Sequence, residues 1–218
     1  MTDACSRCCA RWWPDVVRGG ALLAVASGLL LVARPAGAQL AVSLTGGAFA
    51  SSALIKDGVL NTTLQPAIAP SVGVGIAFPL SGRSAYRLRL QTDVSRGAVN
   101  VTDNSSNETG TLTTVTMIDA TLMIEGALRD EIRWEVGGGA LFYLPSEDVG
   151  VFQSGSARCW LLAAGLTWHH PLSPGMSLLI AARVDSHEFS TDELRLRGYA
   201  RSQAVERFGL HVGVERSF

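Results

Sequence analysis

Cysteine is scarce where it would matter. Of four cysteines in 218 residues, Cys5, Cys8 and Cys9 crowd into the first nine positions, and only Cys159 stands in the remainder. One thiol builds neither a disulfide framework nor a Cys-based metal site. Charge is thin as well: 17% of residues are charged and the formal net charge is -1, which leaves no basic field for nucleic acid. No apolar run reaches the ~20 residues of a membrane-spanning helix. After residue 38 no segment repeats its apolar residues at the helical period.

What is present begins with an asymmetric leader. Arg7, Arg11 and Arg18 precede an uncharged apolar run from Gly19 to Ala33, and Arg34-Pro35 is followed by Ala36-Gly37-Ala38. A basic stretch, a short apolar stretch and an A-x-A site form the layout of a secretory signal peptide, so residues 1–38 are expected to be a signal peptide and 39–218 a single domain. No cysteine closes the apolar run, as a lipoprotein signal would need. Setting aside the four leader arginines with Asp3 and Asp15 leaves 14 basic residues of 18 and 17 acidic residues of 19, a charge of -3.

Beyond the leader the apolar period is two, the signature of strands. Eight are predicted: 40–50, 67–80, 85–95, 111–127, 132–144, 157–169, 177–187 and 204–218. The apolar residues keep one parity throughout, with Val72, Val74, Ile76, Leu88, Leu90, Ile118, Leu122, Ile124, Val136, Leu162, Leu166, Leu178, Ile180, Val184, Leu210, Val212 and Val214 all at even positions. Odd positions are small or polar, and they carry Arg87, Arg89, Asp93, Asp119, Glu125, Arg133, Glu135, Arg183, Asp185, Arg207 and Glu215. Successive side chains point to opposite faces of a strand, so one face of this sheet is greasy and the other ionic.

Two further patterns favour an ionic interior over an ionic surface. Connections alternate, long at 51–66, 96–110, 145–156 and 188–203 and short at 81–84, 128–131 and 170–176, as in transmembrane barrels with long external loops and short periplasmic turns. Even-position aromatics also fall near strand ends, where rings favour a bilayer interface. Phe78, Tyr86, Trp134, Trp168 and Phe218 are expected at the short-turn end, and Phe142, Trp160 and Phe208 at the opposite rim. A narrow lumen containing five arginines and six carboxylates is expected to hold them as paired ions that plug it. Gly73, Gly75, Gly137, Gly139, Gly209 and Gly213, also at odd positions, are expected to make room for those long side chains.

The last eleven residues, F-G-L-H-V-G-V-E-R-S-F, alternate back from a terminal Phe218. This segment resembles the C-terminal strand of bacterial outer-membrane barrels, although Arg216 stands where an apolar residue is usual. With eight strands in 39–218, the chain resembles small barrels of the OmpA and OmpX kind. The resemblance implies an all-β, eight-stranded antiparallel transmembrane β-barrel, an up-and-down meander in the outer membrane. It also implies a monomer without cofactor, in contact with outer-membrane lipid and lipopolysaccharide and recognised through Phe218 by the barrel-assembly machinery.

Chemistry is sparse. His169-His170 alternate faces, which disfavours a shared metal. His187 and His211 are inward and are the only histidines placed to join a serine and a carboxylate in a hydrolytic constellation. Because some eight-stranded barrels modify lipid A, the segment S-H-E-F-S at 186–190 is the candidate for such an enzyme. The glycine runs V-G-V-G-I and E-V-G-G-G-A lack the strand-to-helix transition of a phosphate loop. The polar stretch 100–111 reads as a mobile loop. The basic, aromatic stretch with Arg195, Arg197, Tyr199 and Arg201 reads as a solvated loop, or one that meets lipopolysaccharide phosphates. The expected role is structural or surface-interacting, with a lipid A-modifying enzyme or a narrow pore as alternatives.

Overall fold

The computed structural model describes residues 40–57, 61–80, 85–153, 155–196 and 203–218. The signal peptide expected at 1–38 lies outside them, as do the turn 81–84 and Arg197, Tyr199 and Arg201. Ten strands form: β1 (Ala41–Ser51), β2 (Ile55–Asp57), β3 (Thr62–Pro66), β4 (Ala69–Pro79), β5 (Tyr86–Asp103), β6 (Glu108–Ala127), β7 (Ile132–Pro145), β8 (Ala157–Ser173), β9 (Met176–Phe189) and β10 (Gln203–Ser217). Eight of them close an antiparallel ring in the order β1-β4-β5-β6-β7-β8-β9-β10, with β10 returning to pair along β1 from Ser217 opposite Ala41 to Arg207 opposite Ser51. Closure leaves no edge around the ring, so every ladder satisfies its own backbone groups. No described helix is long and apolar enough to cross a membrane.

Alternation holds on all eight ring strands: odd positions point in and even positions point out. In β10, for example, Arg207, Gly209, His211 and Glu215 are buried while Phe208, Leu210, Val212 and Val214 are exposed. Exposed large apolar residues encircle the ring, from Leu44 on β1 through Val72, Leu90, Leu122, Val136, Leu162 and Ile180 to Leu210. A closed belt of this kind has no dry side, which no water-soluble surface of this size tolerates.

Glycines allow close approach across two ladders. A side chain at Gly137 or Gly139 of β7 would run into the backbone of β6 at Leu122–Met123 and Ala120–Thr121, and one at Gly47 or Gly213 would run into the backbone across the β1–β10 ladder. Such close approach requires glycine. Taken as boundaries, these two ladders divide the ring into two four-strand walls, β1-β4-β5-β6 and β7-β8-β9-β10. The role expected from sequence therefore fits Gly73, which faces Asp93 and Gln91, and Gly75, which faces Gln91 and Arg89. It is corrected for Gly137, Gly139 and Gly213, whose neighbours are backbone rather than long ionic side chains.

The long connections are more structured than the sequence reading allowed. Residues 96–110, expected as a long connection with 100–111 a mobile loop, continue β5 and β6 to a turn at 104–107, where Asn107 takes a φ of 59°. Alternating Val and Thr suit this extension, and β3 pairs with its outer half, Leu64 opposite Val101. The connection 51–66 contains β2 and β3, paired as a hairpin. In 145–156 a 3-10 turn at Gly150–Phe152 buries Phe152, and in 188–203 a short helix, α1 (Asp192–Leu196), buries Leu194.

Candidate functional site

The candidate site is the lumen, whose ionic tier has two layers. In the layer toward the short turns, two arginines of β5 and two glutamates form a closed ring. Arg87 donates through Nε to Glu125 at 2.7 Å and through Nη1 to Glu215 at 2.9 Å. Arg89, two residues along on the same face, donates to the other oxygen of each glutamate and, at 2.7 Å, to Ser43. Each glutamate thus bridges two guanidinium groups, a geometry in which buried charge is compensated. His169 Nδ1 lies 3.9 Å from Glu215.

The next layer is built on Arg183 of β9. Its Nε donates to Asp185 at 2.7 Å, Nη1 to Asp93 at 2.9 Å and Nη2 to Asp119 at 2.9 Å, and Arg207 of β10 donates to Asp119 at 2.8 Å. Arg207 is fully buried, with its guanidinium carbon 4.1 Å from the centroid of Phe49. A cation over an aromatic face compensates part of its desolvation. These contacts tie one wall to the other: Arg183 and Arg207 come from β7–β10, Asp93 and Asp119 from β5 and β6, and the Arg89–Glu215 pair crosses in the reverse sense.

Nine of the eleven odd-position ions join these pairs. Arg133 and Glu135 form no ion pair among the described residues; Arg133 is half-buried, and Glu135 lines a cavity of about 30 Å³, the size of one water.

Above Phe49, toward the long connections, the lumen changes character. Val99, Val115, Met117, Leu141, Tyr143, Cys159, Leu161, Phe189 and Val205 point inward and join Leu54, Phe152 and Leu194 in one apolar cluster. The expectation that odd positions are small or polar is corrected here. Tyr143 packs edge-on against Phe189 at 5.2 Å, and its hydroxyl meets His187 Nε2 at 2.7 Å.

The histidines have no hydrolytic arrangement. His187 bonds to Tyr143, while Ser186 next to it faces outward and is exposed. His211 Nε2 lies 3.1 Å from Ser71 Oγ, a Ser–His pair buried in the lumen beside Phe49 and turned away from the lipid-facing side. His170 stacks on Trp168 at 5.2 Å on the outside. Among the described residues no cluster of His, Cys, Asp and Glu fits a metal ion.

Of the aromatics singled out by sequence, Phe78, Tyr86 and Phe218 are exposed and Trp134 and Trp168 partly so, all near the short-turn end. Tyr86 and Trp134 meet edge to face at 6.1 Å, and Trp168 donates to Glu131 at 3.0 Å. Phe142, Trp160 and Phe208 are exposed near the other rim, with Trp160 at 75% the most open of the eight. Sequence reasoning missed Phe49, Tyr143 and Phe189. Aromatics at odd positions were the signal for these three, whereas nothing in the sequence flags Phe152.

At the tip of the long hairpin, Asp103 accepts from the backbone N–H of Ser105 at 2.8 Å, which holds its carboxyl below the usual range.

No family model matches the chain, and no curated relative matches it. Among solved structures, the outer membrane protein AlkL has 15% identity over 85% of this chain and 94% of its own, with a TM-score of 0.52. Neisserial surface protein A has 15% identity over 84% of this chain and 99% of its own, with a TM-score of 0.49. Ail of Yersinia pestis, solved with a heparin analogue, has 11% identity over 83% and 99%, with a TM-score of 0.45. Likeness at such identities is one of fold. With the closed ring and its outward apolar belt already in hand, the chain has the fold of a small outer-membrane β-barrel, eight antiparallel strands around an ionic lumen.

Proposed function

We propose that the protein resides in the outer membrane, exported behind the leader read in residues 1–38, and that its lumen is closed, so that its work is structural or at the cell surface. The observation that carries this reading is the stack inside the ring: ion pairs that cross from wall to wall, roofed by a continuous apolar cluster. An eight-stranded barrel is only wide enough for its own side chains, and the cavity among Arg89, Asp93, Glu135 and Arg183 is small, about 30 Å³.

The belt is satisfied by lipid, which suits a monomer. Lipopolysaccharide is the outer-leaflet partner that the outward Arg96 and Arg158 would meet, and Phe218 is the residue offered to the barrel-assembly machinery. Among the described residues no set calls for a cofactor or supports catalysis, and the Ser71–His211 pair is shut away from lipid substrate.

Planar-bilayer recording of the purified protein tests the closed lumen. No stable open conductance is expected, and a large one would refute the reading in favour of a narrow pore. Reconstitution with lipopolysaccharide is expected to yield neither deacylated nor acyl-transferred lipid A.

A further inference from the structure

Beyond the ring, β5 and β6 continue as a hairpin that β3 and β2 broaden into a four-stranded sheet, in the order β2-β3-β5-β6. A sheet that leaves a closed ring regains two edges. One is β2, three residues long and too short to template much. The other is the outer part of β6. It pairs with β5 from Glu108 onward, but its pairing with β7 starts only at Val115. On that side Thr114 accepts from Ser146 N–H, and residues 108–113 have no backbone partner among the described residues.

Natural sheets blunt exposed edges with proline, lysine, bulges or brevity. The stretch E-T-G-T-L-T at 108–113 has neither proline nor lysine; the bulge of this hairpin falls on β6, where Leu112 is skipped between Thr111 opposite Asn100 and Thr113 opposite Val99, and residues 108–111 run in register with β5 beyond it. Every residue from 108 to 111 is exposed, and an open groove runs along Val101, Asp103, Glu108 and Leu112.

We infer that this β6 edge is a docking strand for an extended, cationic segment of another protein, which adds to the sheet through its backbone. The proposal rests on the surface-interaction reading above and names its partner class. Extended conformation follows from the edge, because alternating N–H and C=O groups at strand spacing are matched by another strand. The charge follows from the surroundings: exposed Asp103 and Glu108 flank the tip, exposed Glu147 and Asp148 lie beside the base where Ser146 bonds Thr114, and no lysine or arginine occurs from 97 to 128 or from 134 to 157. The same acidity opposes pairing with a second copy.

The test uses the folded protein in zwitterionic nanodiscs and a peptide of about seven residues alternating lysine with valine and threonine. Binding is expected to slow amide exchange at alternate residues within 108–113. N-methylation of alternate peptide amides keeps the charge and is expected to weaken binding by about tenfold or more. Glu108→Lys is expected to weaken it several-fold with the barrel intact on a heat-modifiability gel. Equal binding of the N-methylated peptide, or no slowing at 108–113, would overturn the proposal. Protection of these amides that rises with protein concentration and needs no peptide would assign the edge to a second copy, which also overturns it. Conductance of the same sample separates the two readings: a sealed barrel that ignores the peptide loses only the docking strand, and a conducting barrel that binds it loses only the closed lumen.

Discussion

The two tiers of the lumen are filled by the same strands at the same parity, yet one is ionic and the other is hydrocarbon. The outward face changes at the same heights in the opposite sense. On β10 the outward residue is Glu206 where Val205 faces in, and Phe208, Leu210 and Val212 where Arg207 and His211 face in. On β9, Ser186 and Glu188 are outside where Phe189 is inside, and Val184 and Ile180 are outside where Asp185 and Arg183 are inside. On β6 the change falls between Thr116 and Ile118, on β5 between Arg96 and Val94, and on β8 between Arg158 and Trp160.

Each of these five strands is thus half an inverted protein and half an ordinary one. Where lipid surrounds the sheet, polar groups are enclosed; where water surrounds it, apolar groups are. Phe142, Trp160 and Phe208 stand at the level of that exchange.

The comparison breaks most severely if the ionic tier is not held by its pairs. Arg183→Met leaves Asp93, Asp119 and Asp185 without their shared cation, and the loss of folding free energy in detergent or lipid is expected at about 3–5 kcal/mol. Urea unfolding followed by the gel shift of the folded band measures it. Neutralising Asp93 together with Arg183, while Asp119 and Asp185 stay to hold Arg207, is expected to recover part of the loss, because the penalty belongs to orphaned charge rather than to the missing contacts. If the single variant costs under about 1 kcal/mol, the pairs are bystanders.

In the upper tier the rule is that of a soluble core. Phe189→Ala removes a fully buried ring packed on Tyr143 and Phe152 and is expected to cost about 3 kcal/mol, with amide exchange rising in 150–152 as the connection loses its anchor. An arginine on the outer face then locates the boundary directly. Leu122→Arg, in the apolar belt, is expected to cost about 2–4 kcal/mol, and Thr114→Arg, above the change of polarity, about 0–1 kcal/mol. Equal costs at the two positions would erase the distinction between the tiers.

The ring was legible because the signal repeats. Parity alone assigns Leu122 outward and Asp119 inward, and every strand from 40 to 218 votes the same way. The alternation of long and short connections added orientation. What was not legible depends on contacts between segments distant in sequence. Val99 to Asp103 read as loop because Asn100 and Thr102 put polar residues at the even positions that are apolar elsewhere, and their ladder is completed by β3, some 35 residues earlier. The apolar upper tier was visible in Phe49, Tyr143 and Phe189, but the search for inward residues looked for charge. Which guanidinium meets which carboxylate across the lumen is set by closure of β10 on β1, and no spacing within one strand encodes it. Arg133 and Glu135, alike in parity and type to their neighbours, stand outside the pairs for that reason.

The smallest effect expected concerns the Tyr143–His187 bond in the hydrocarbon tier. Tyr143 is buried, its hydroxyl meets His187 Nε2 at 2.7 Å, and His187 Nδ1 has no partner. Tyr143→Phe keeps the ring that packs on Phe152 and Phe189, and so isolates the bond from the packing. Losing it strands His187 Nε2 in an apolar tier, at an expected cost of about 1 kcal/mol, against about 3 kcal/mol for Phe189→Ala beside it. Adding His187→Leu to Tyr143→Phe removes both partners and is expected to return part of that loss, because an apolar pair in an apolar tier leaves nothing unsatisfied. If the double variant were the less stable of the two, the upper tier would be organised by its polar bond, and the division of the lumen into an ionic part and a hydrocarbon part would have to be redrawn around His187.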